Sequence, residues 1–150
     1  MESSPCYQRV GLASDHAGYE MKEFIRALLD KKGISYLDYG AYTPESVNYA
    51  VFGHRLAAAV ENQEVSLGIA VCGSGNGINM TLNKHAGIRS ALCWKEEIAT
   101  LARMHNDANV LALPGRFLPM DEAEKIVETF LNTPFEGGRH VERIRSITAF

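Results

Sequence analysis

The sequence predicts an α/β domain: an open, five-stranded parallel sheet with helices on both faces and a further helix at the C-terminus. Three observations carry this. Short apolar runs alternate along the whole chain with segments of helical period, and the connections between them are short. One run, Val65 to Val71, is almost continuously apolar, as a strand covered on both faces should be. The length of 150 residues suits one compact domain over 1–150, and no repeat, low-complexity tract or linker interrupts it.

Arg9 to Ala13 is the first strand, stopped by Ser14-Asp15-His16-Ala17-Gly18. Tyr19, Phe24, Ile25, Leu28 and Leu29 then recur at helical spacing up to Lys31-Lys32-Gly33, where cations and a glycine mark a helix end. Ile34 to Tyr39 is the second strand, and the alanine-rich segment Tyr49 to Asn62 the second helix. After Val65 to Val71 comes a glycine loop and a helix through Met80 and Leu82. Ile88 to Cys93, Lys95 to His105, Val110 to Leu113 and Met120 to Leu131 continue the alternation, the last opening on an acidic turn. The tail from Gly137 to Phe150 reads as one more helix.

Net charge of −3 and a pI near 5.9 leave no chain-wide positive field for nucleic acid or an anionic membrane. Cys6, Cys72 and Cys93 stand singly, without the spacing of a disulfide framework or zinc site, which points to a reducing compartment. Met1 to Gln8 carries no apolar leader, and no run approaches a membrane span. A cytoplasmic protein is expected.

In open α/β sheets ligands bind beyond the carboxyl ends of the strands, which directs attention to the loops there. The loop Cys72-Gly73-Ser74-Gly75-Asn76-Gly77 has three glycines in five residues after a buried strand. Backbone N–H groups can turn inward there, and the next helix adds its positive end, so the loop suits an oxyanion or phosphate. A dinucleotide fingerprint would follow the first strand as G-x-G-x-x-G, and a P-loop needs Gly-Lys-Ser/Thr. Neither is present. Cys72 stands at the mouth of this nest, where dipoles favour the thiolate. A cysteine phosphatase would need an arginine where Ile78 stands. Cys93 reads as core, and Cys6 lacks context.

Asp15-His16 follows the first strand, and His105-Asn106-Asp107 closes the helix before the fifth. Both are expected near the Cys72 edge, where a histidine could move a proton to or from a substrate oxygen. His54 and His85 read as surface or packing residues. Arg139 and Arg143, four apart, share a helix face, and Arg116 follows the fifth strand. Guanidiniums suit phosphate oxygens, although a solvated basic face would have the same spacing.

Together these motifs resemble the type B ribose-5-phosphate isomerase family, which includes the galactose-6-phosphate isomerase subunits. The resemblance rests on Ser14 to Gly18, Cys72 to Ile78, Asn83-Lys84 with Gly87-Ile88-Arg89, His105 to Leu111, and Gly137-Gly138-Arg139-His140 with Arg143. It implies a Rossmann-like three-layer α/β/α sandwich that forms a homodimer or tetramer with shared active sites. It implies no metal and no organic cofactor. By resemblance Cys72 takes the C2 proton of an open-chain aldose phosphate, and Ser74, Gly75 and Gly77, with Gly73 and Asn76 beside them, hold the enediolate. His105 would open the sugar ring, Asp15 and Asn106 would bind hydroxyls, and His16, Arg116, Arg139 and Arg143 would hold the phosphate. Interconversion of D-ribose 5-phosphate and D-ribulose 5-phosphate is the expected reaction. A six-carbon substrate such as allose or galactose 6-phosphate, or a non-catalytic phosphosugar-binding module, are the alternatives. One departure stands near the sugar: many members have Asp-Tyr-Pro where this chain has Asn48-Tyr49-Ala50.

Overall fold

The computed structural model describes residues 9–148; Met1 to Gln8, including Cys6, lie outside the described residues. The elements in chain order are β1 (Val10–Ser14), α1 (Tyr19–Lys32), β2 (Tyr36–Asp38), α2 (Tyr49–Glu61), β3 (Leu67–Cys72), α3 (Asn76–Leu82), β4 (Ser90–Leu92), α4 (Glu96–Met104), β5 (Val110–Pro114), α5 (Met120–Asn132) and α6 (His140–Ile147). The five strands form one parallel sheet in the order β2-β1-β3-β5-β4. None of the described helices is long and apolar enough to cross a membrane.

The alternation of side chains along the central strands builds two cores. Leu67, Ile69 and Val71 of β3 face α1, α4 and α5, packing with Ile25, Leu29, Ala99, Ile126 and Phe130. Ala70 and Cys72 face the other way, toward Phe52 and Leu56 of α2 and Ile78 and Leu82 of α3. Helices therefore cover both faces, as the apolar run predicts. With α1 on one face and α2 on the other, the chain reverses direction beside β1, and a crevice opens between the carboxyl ends of β1 and β3.

Both edge strands are shorter than their apolar runs suggest. At β4, the Asn109 amide oxygen accepts the Arg89 N–H (2.8 Å) and the Asn83 amide oxygen accepts the Ser90 N–H (2.8 Å). Side chains thus satisfy backbone groups at the start of this strand. The strand β3, by contrast, runs one residue further than the apolar run, so Cys72 is its last residue and pairs with Pro114. Helix α1 ends as predicted at Gly33, whose φ of 70° is the left-handed cap after Lys31 and Lys32.

Candidate active site

The turn after β1 is pressed against the end of β3. The Asp15 N–H donates to the Val71 carbonyl (3.3 Å), and the Asp15 side chain accepts the Gly18 N–H (2.9 Å). A Cβ at Gly18 would stand 2.3 Å from the Val71 oxygen, so only glycine allows this approach. Asp15 is buried there, one strand away from Cys72.

Cys72 is 4% exposed, at the point where the sheet ends. The loop after it is tied to the loop after β5: Gly115 N–H donates to the Cys72 carbonyl (2.9 Å) and Arg116 N–H to the Gly73 carbonyl (3.0 Å). The Arg116 side chain lies over Gly73, its Cδ and Nη1 each 3.4 Å from where a Cβ would sit. Gly75 has φ 79° and backs onto Leu92 and Leu113. Ser74 Oγ accepts the Asn76 N–H (3.2 Å), and Asn76 and Gly77 already belong to the first turn of α3. The nest is thus Gly73 to Gly75 plus the opening of a helix.

The segment before α2 supplies the third wall. Asn48 caps this helix by accepting the Ala50 N–H (2.9 Å), and Tyr49 begins it. The Tyr49 ring covers Gly77, where a Cβ would come within 2.5 Å of its Cζ. The N–H and carbonyl of Val47 stand 3.1 and 3.2 Å from His16 Nδ1, anchoring that ring through one nitrogen. Asp15, His16, Tyr49, Cys72, Gly73, Ser74, Gly75, Asn76, Gly77 and Arg116 therefore occupy one edge of the sheet.

His105 and Asn106 do not join them. They follow α4, which returns the chain to the amino end of β5, where Asn109 carbonyl accepts the Gly68 N–H (2.9 Å) at the start of β3. From Gly68 to Cys72 the strand rises by about 13 Å. The expectation that His105 lies beside Cys72 in the same chain is corrected: a helix leading into a parallel strand ends at the opposite edge of the sheet. Arg139 and Arg143 go with His105, because α6 docks His140 on it. The two imidazoles stack with centroids 4.2 Å apart and planes 14° from parallel. Of the four expected phosphate ligands, His16 and Arg116 are at one edge and Arg139 and Arg143 at the other.

This second cluster contains residues that spacing did not single out. Glu136 Oε2 lies 3.7 Å from His105 Nε2, and its N–H donates to the Met104 carbonyl (3.0 Å). His140 is buried, and its Nε2 has no hydrogen-bond partner among the described residues. Burial, with the neighbouring charges of His105 and Arg139, holds His140 below the ordinary imidazole range. Elsewhere, His85 Nδ1 donates to Glu61 Oε1 (2.9 Å) and His85 Nε2 lies 2.7 Å from His54 Nδ1. The two histidines read as surface or packing residues are thus joined in one chain. Lys22, 1% exposed, pairs with Asp38 at 2.7 Å, and Asp38 accepts the Gly40 N–H (2.9 Å) in the loop leading toward His16's anchor. Cys93 is core, and burial pushes its thiol up to about 12.

A family model described as Ribose/Galactose Isomerase matches residues 10–147. Ribose-5-phosphate isomerase B of Escherichia coli (strain K12) is 39% identical over 142 residues, covering 95% of each chain. A ribose-5-phosphate isomerase B of Clostridium thermocellum superposes with TM-score 0.92 at 44% identity, over 93% of this chain and 94% of that one. One from Mycoplasma genitalium, solved with bound ribulose-5-phosphate, gives TM-score 0.87 at 41% identity over 93% of both chains. Matched over nearly its whole described length and at about two residues in five, the chain belongs to the ribose/galactose isomerase family.

Proposed function

We propose that this chain interconverts D-ribose 5-phosphate and D-ribulose 5-phosphate without a cofactor, with Cys72 as the base. The observation that carries this is the position of Cys72: last residue of β3, with the Asp15 turn on one side and the Arg116 loop tied to it on the other. Cys72 Sγ takes the proton from C2 of the open-chain aldose as the C1 carbonyl oxygen gains the electron pair. The resulting enediolate is held by the nest at Ser74, Gly75 and Gly77, with Gly73 and Asn76 lining it. The O2 proton passes to O1, and Cys72 returns the carbon proton to C1 as the C2 oxygen becomes the carbonyl, which completes the ketose. Asp15 binds a hydroxyl, Tyr49 covers the sugar, and Arg116 and His16 face the anionic end.

The remaining parts come from a second copy. His105, which opens the ring, Asn106, which binds a hydroxyl, and Arg139 and Arg143, which hold phosphate, stand at the far edge of the sheet. A homodimer that sets one protomer's carboxyl edge against its partner's amino edge completes two sites, and a tetramer would pair such dimers. The compartment is the cytoplasm, in keeping with three cysteines that lack disulfide spacing.

A coupled assay on the purified protein with ribose 5-phosphate, and with allose and galactose 6-phosphates beside it, tests the reading. Turnover is expected to be highest with the pentose and to fall about 100-fold or more in Cys72→Ala. Full activity in Cys72→Ala, or no turnover of any of these sugars by the wild type, would overturn it.

A further inference from the structure

We infer that His105, Glu136 and His140 form a binding site for a divalent transition-metal ion such as Zn2+, and that metal bound there shuts off the isomerase. One donor atom from each residue lies within 4.8 Å of the other two. Two imidazole nitrogens and one carboxylate oxygen are the donor set of a three-ligand zinc site that leaves a fourth position open. Zinc at about 2.0–2.2 Å from each donor needs them roughly 3.3 Å apart, so the donors must draw together by about an ångström or more.

The distribution of burial makes that closure feasible. His140 is fixed: it is 5% exposed, and its Nε2 is a buried polar atom that no group among the described residues satisfies. An unpaired nitrogen in such a place loses its hydrogen bond to water and gains none in return. His105 and Glu136 are the adjustable donors, with side chains 36% and 49% exposed, so their torsions can turn toward the fixed one. The near-parallel imidazoles must open by tilting the His105 ring away from the stack. Arg139 and Arg143 act on His140 electrostatically and oppose a second cation. The site is therefore an open one, weaker than a closed structural centre.

Metal binding would take the His105 lone pair that ring opening needs, which makes the ion an inhibitor and not a cofactor. The binding half of this inference stands on geometry alone; the inhibitory half rests on the role proposed above for His105.

The test is calorimetric titration of the chelator-treated full chain with ZnCl2, and with CoCl2 followed by visible absorption. One ion per chain is expected, with the intense bands of four-coordinate cobalt. His140→Gln and Glu136→Gln should each weaken binding at least tenfold, and Glu136 is exposed enough that its variant should fold normally. His85→Gln and Cys72→Ser should bind as the wild type does. Unchanged affinity in the first pair, or loss of binding in either of the second, overturns the site. ZnCl2 should inhibit wild-type turnover of ribose 5-phosphate, with recovery on adding EDTA, and should inhibit Glu136→Gln only at higher concentration. Stoichiometric binding without inhibition overturns the inhibitory half. A wild type with no isomerase activity overturns the proposed reaction but leaves the calorimetry to judge the site.

Discussion

Asn48 Oδ1 accepts the backbone N–H of Ala50 at 2.9 Å, and this bond joins the two residues by which the segment departs from Asp-Tyr-Pro. A proline at 50 could not donate, and an alanine supplies the donor that the Asn48 side chain takes. The change is thus a matched pair that caps α2 and sets Tyr49 over Gly77. Asn48→Ala should lower stability by about 1 kcal/mol in urea denaturation and raise KM, whereas Asn48→Asp should keep the cap.

Gly75 is held at φ 79°, with Leu92 Cδ1 only 2.4 Å from where a Cβ would stand and the Leu113 carbonyl carbon 3.1 Å away. Gly75→Ala combines backbone strain with overlap. A loss of about 2–4 kcal/mol is expected in equilibrium denaturation, with turnover falling as well because the nest is displaced.

Lys22 is buried and pairs with Asp38 at 2.7 Å, so removing the lysine leaves Asp38 only the longer ion pair with Arg26 Nε at 3.8 Å. Lys22→Met should cost about 3–5 kcal/mol, far more than a surface lysine would. Because Asp38 also accepts the Gly40 N–H, amide exchange over 40–48 should quicken in that variant beyond its global loss of stability.

Glu61 sits below the ordinary carboxylate range, chiefly because His85 donates to it and secondly because Gly87 N–H does. A depressed folded-state pKa contributes stability that is present above the unfolded value and is lost as pH falls through the folded one. Wild type and Glu61→Gln should therefore differ in thermal midpoint above about pH 4.5 and converge at lower pH. A difference that grows on acidification would contradict the assignment.

Cys93 is buried with its thiol pushed up to about 12 by desolvation, so it stays neutral and shielded in the folded chain. Alkylation followed by peptide mass analysis should leave Cys93 unmodified until denaturant is added, while loss of activity on alkylation should track Cys72.

Layer order and the site edge were legible because they depend on local signals: the apolar continuity of β3, the glycines after it, and the Gly33 stop. The position of His105 was misjudged for a topological reason. Spacing along the chain marks a helix end, but which edge that end reaches depends on whether the helix leads into a strand or away from one. Glu136 lay in a connection with no periodicity to single it out, and it gains meaning only because α6 folds back to stack His140 on His105. The Glu61–His85–His54 chain joins α2 to the turn after α3 and has no trace in local spacing. Strand order likewise had no local signature, since β4 lies outside β5 through a crossover.

The separation of Cys72 from His105 by the length of a strand has a genetic consequence. If each catalytic centre draws one half from either protomer, a chain damaged at Cys72 and a chain damaged at His105 are both inactive alone. Mixed together after dissociation, they should form heterodimers in which one of the two centres is wholly intact. Two dead proteins would then restore about half the activity per heterodimer, and two alleles with lesions at opposite ends of the sheet would complement each other in one cell.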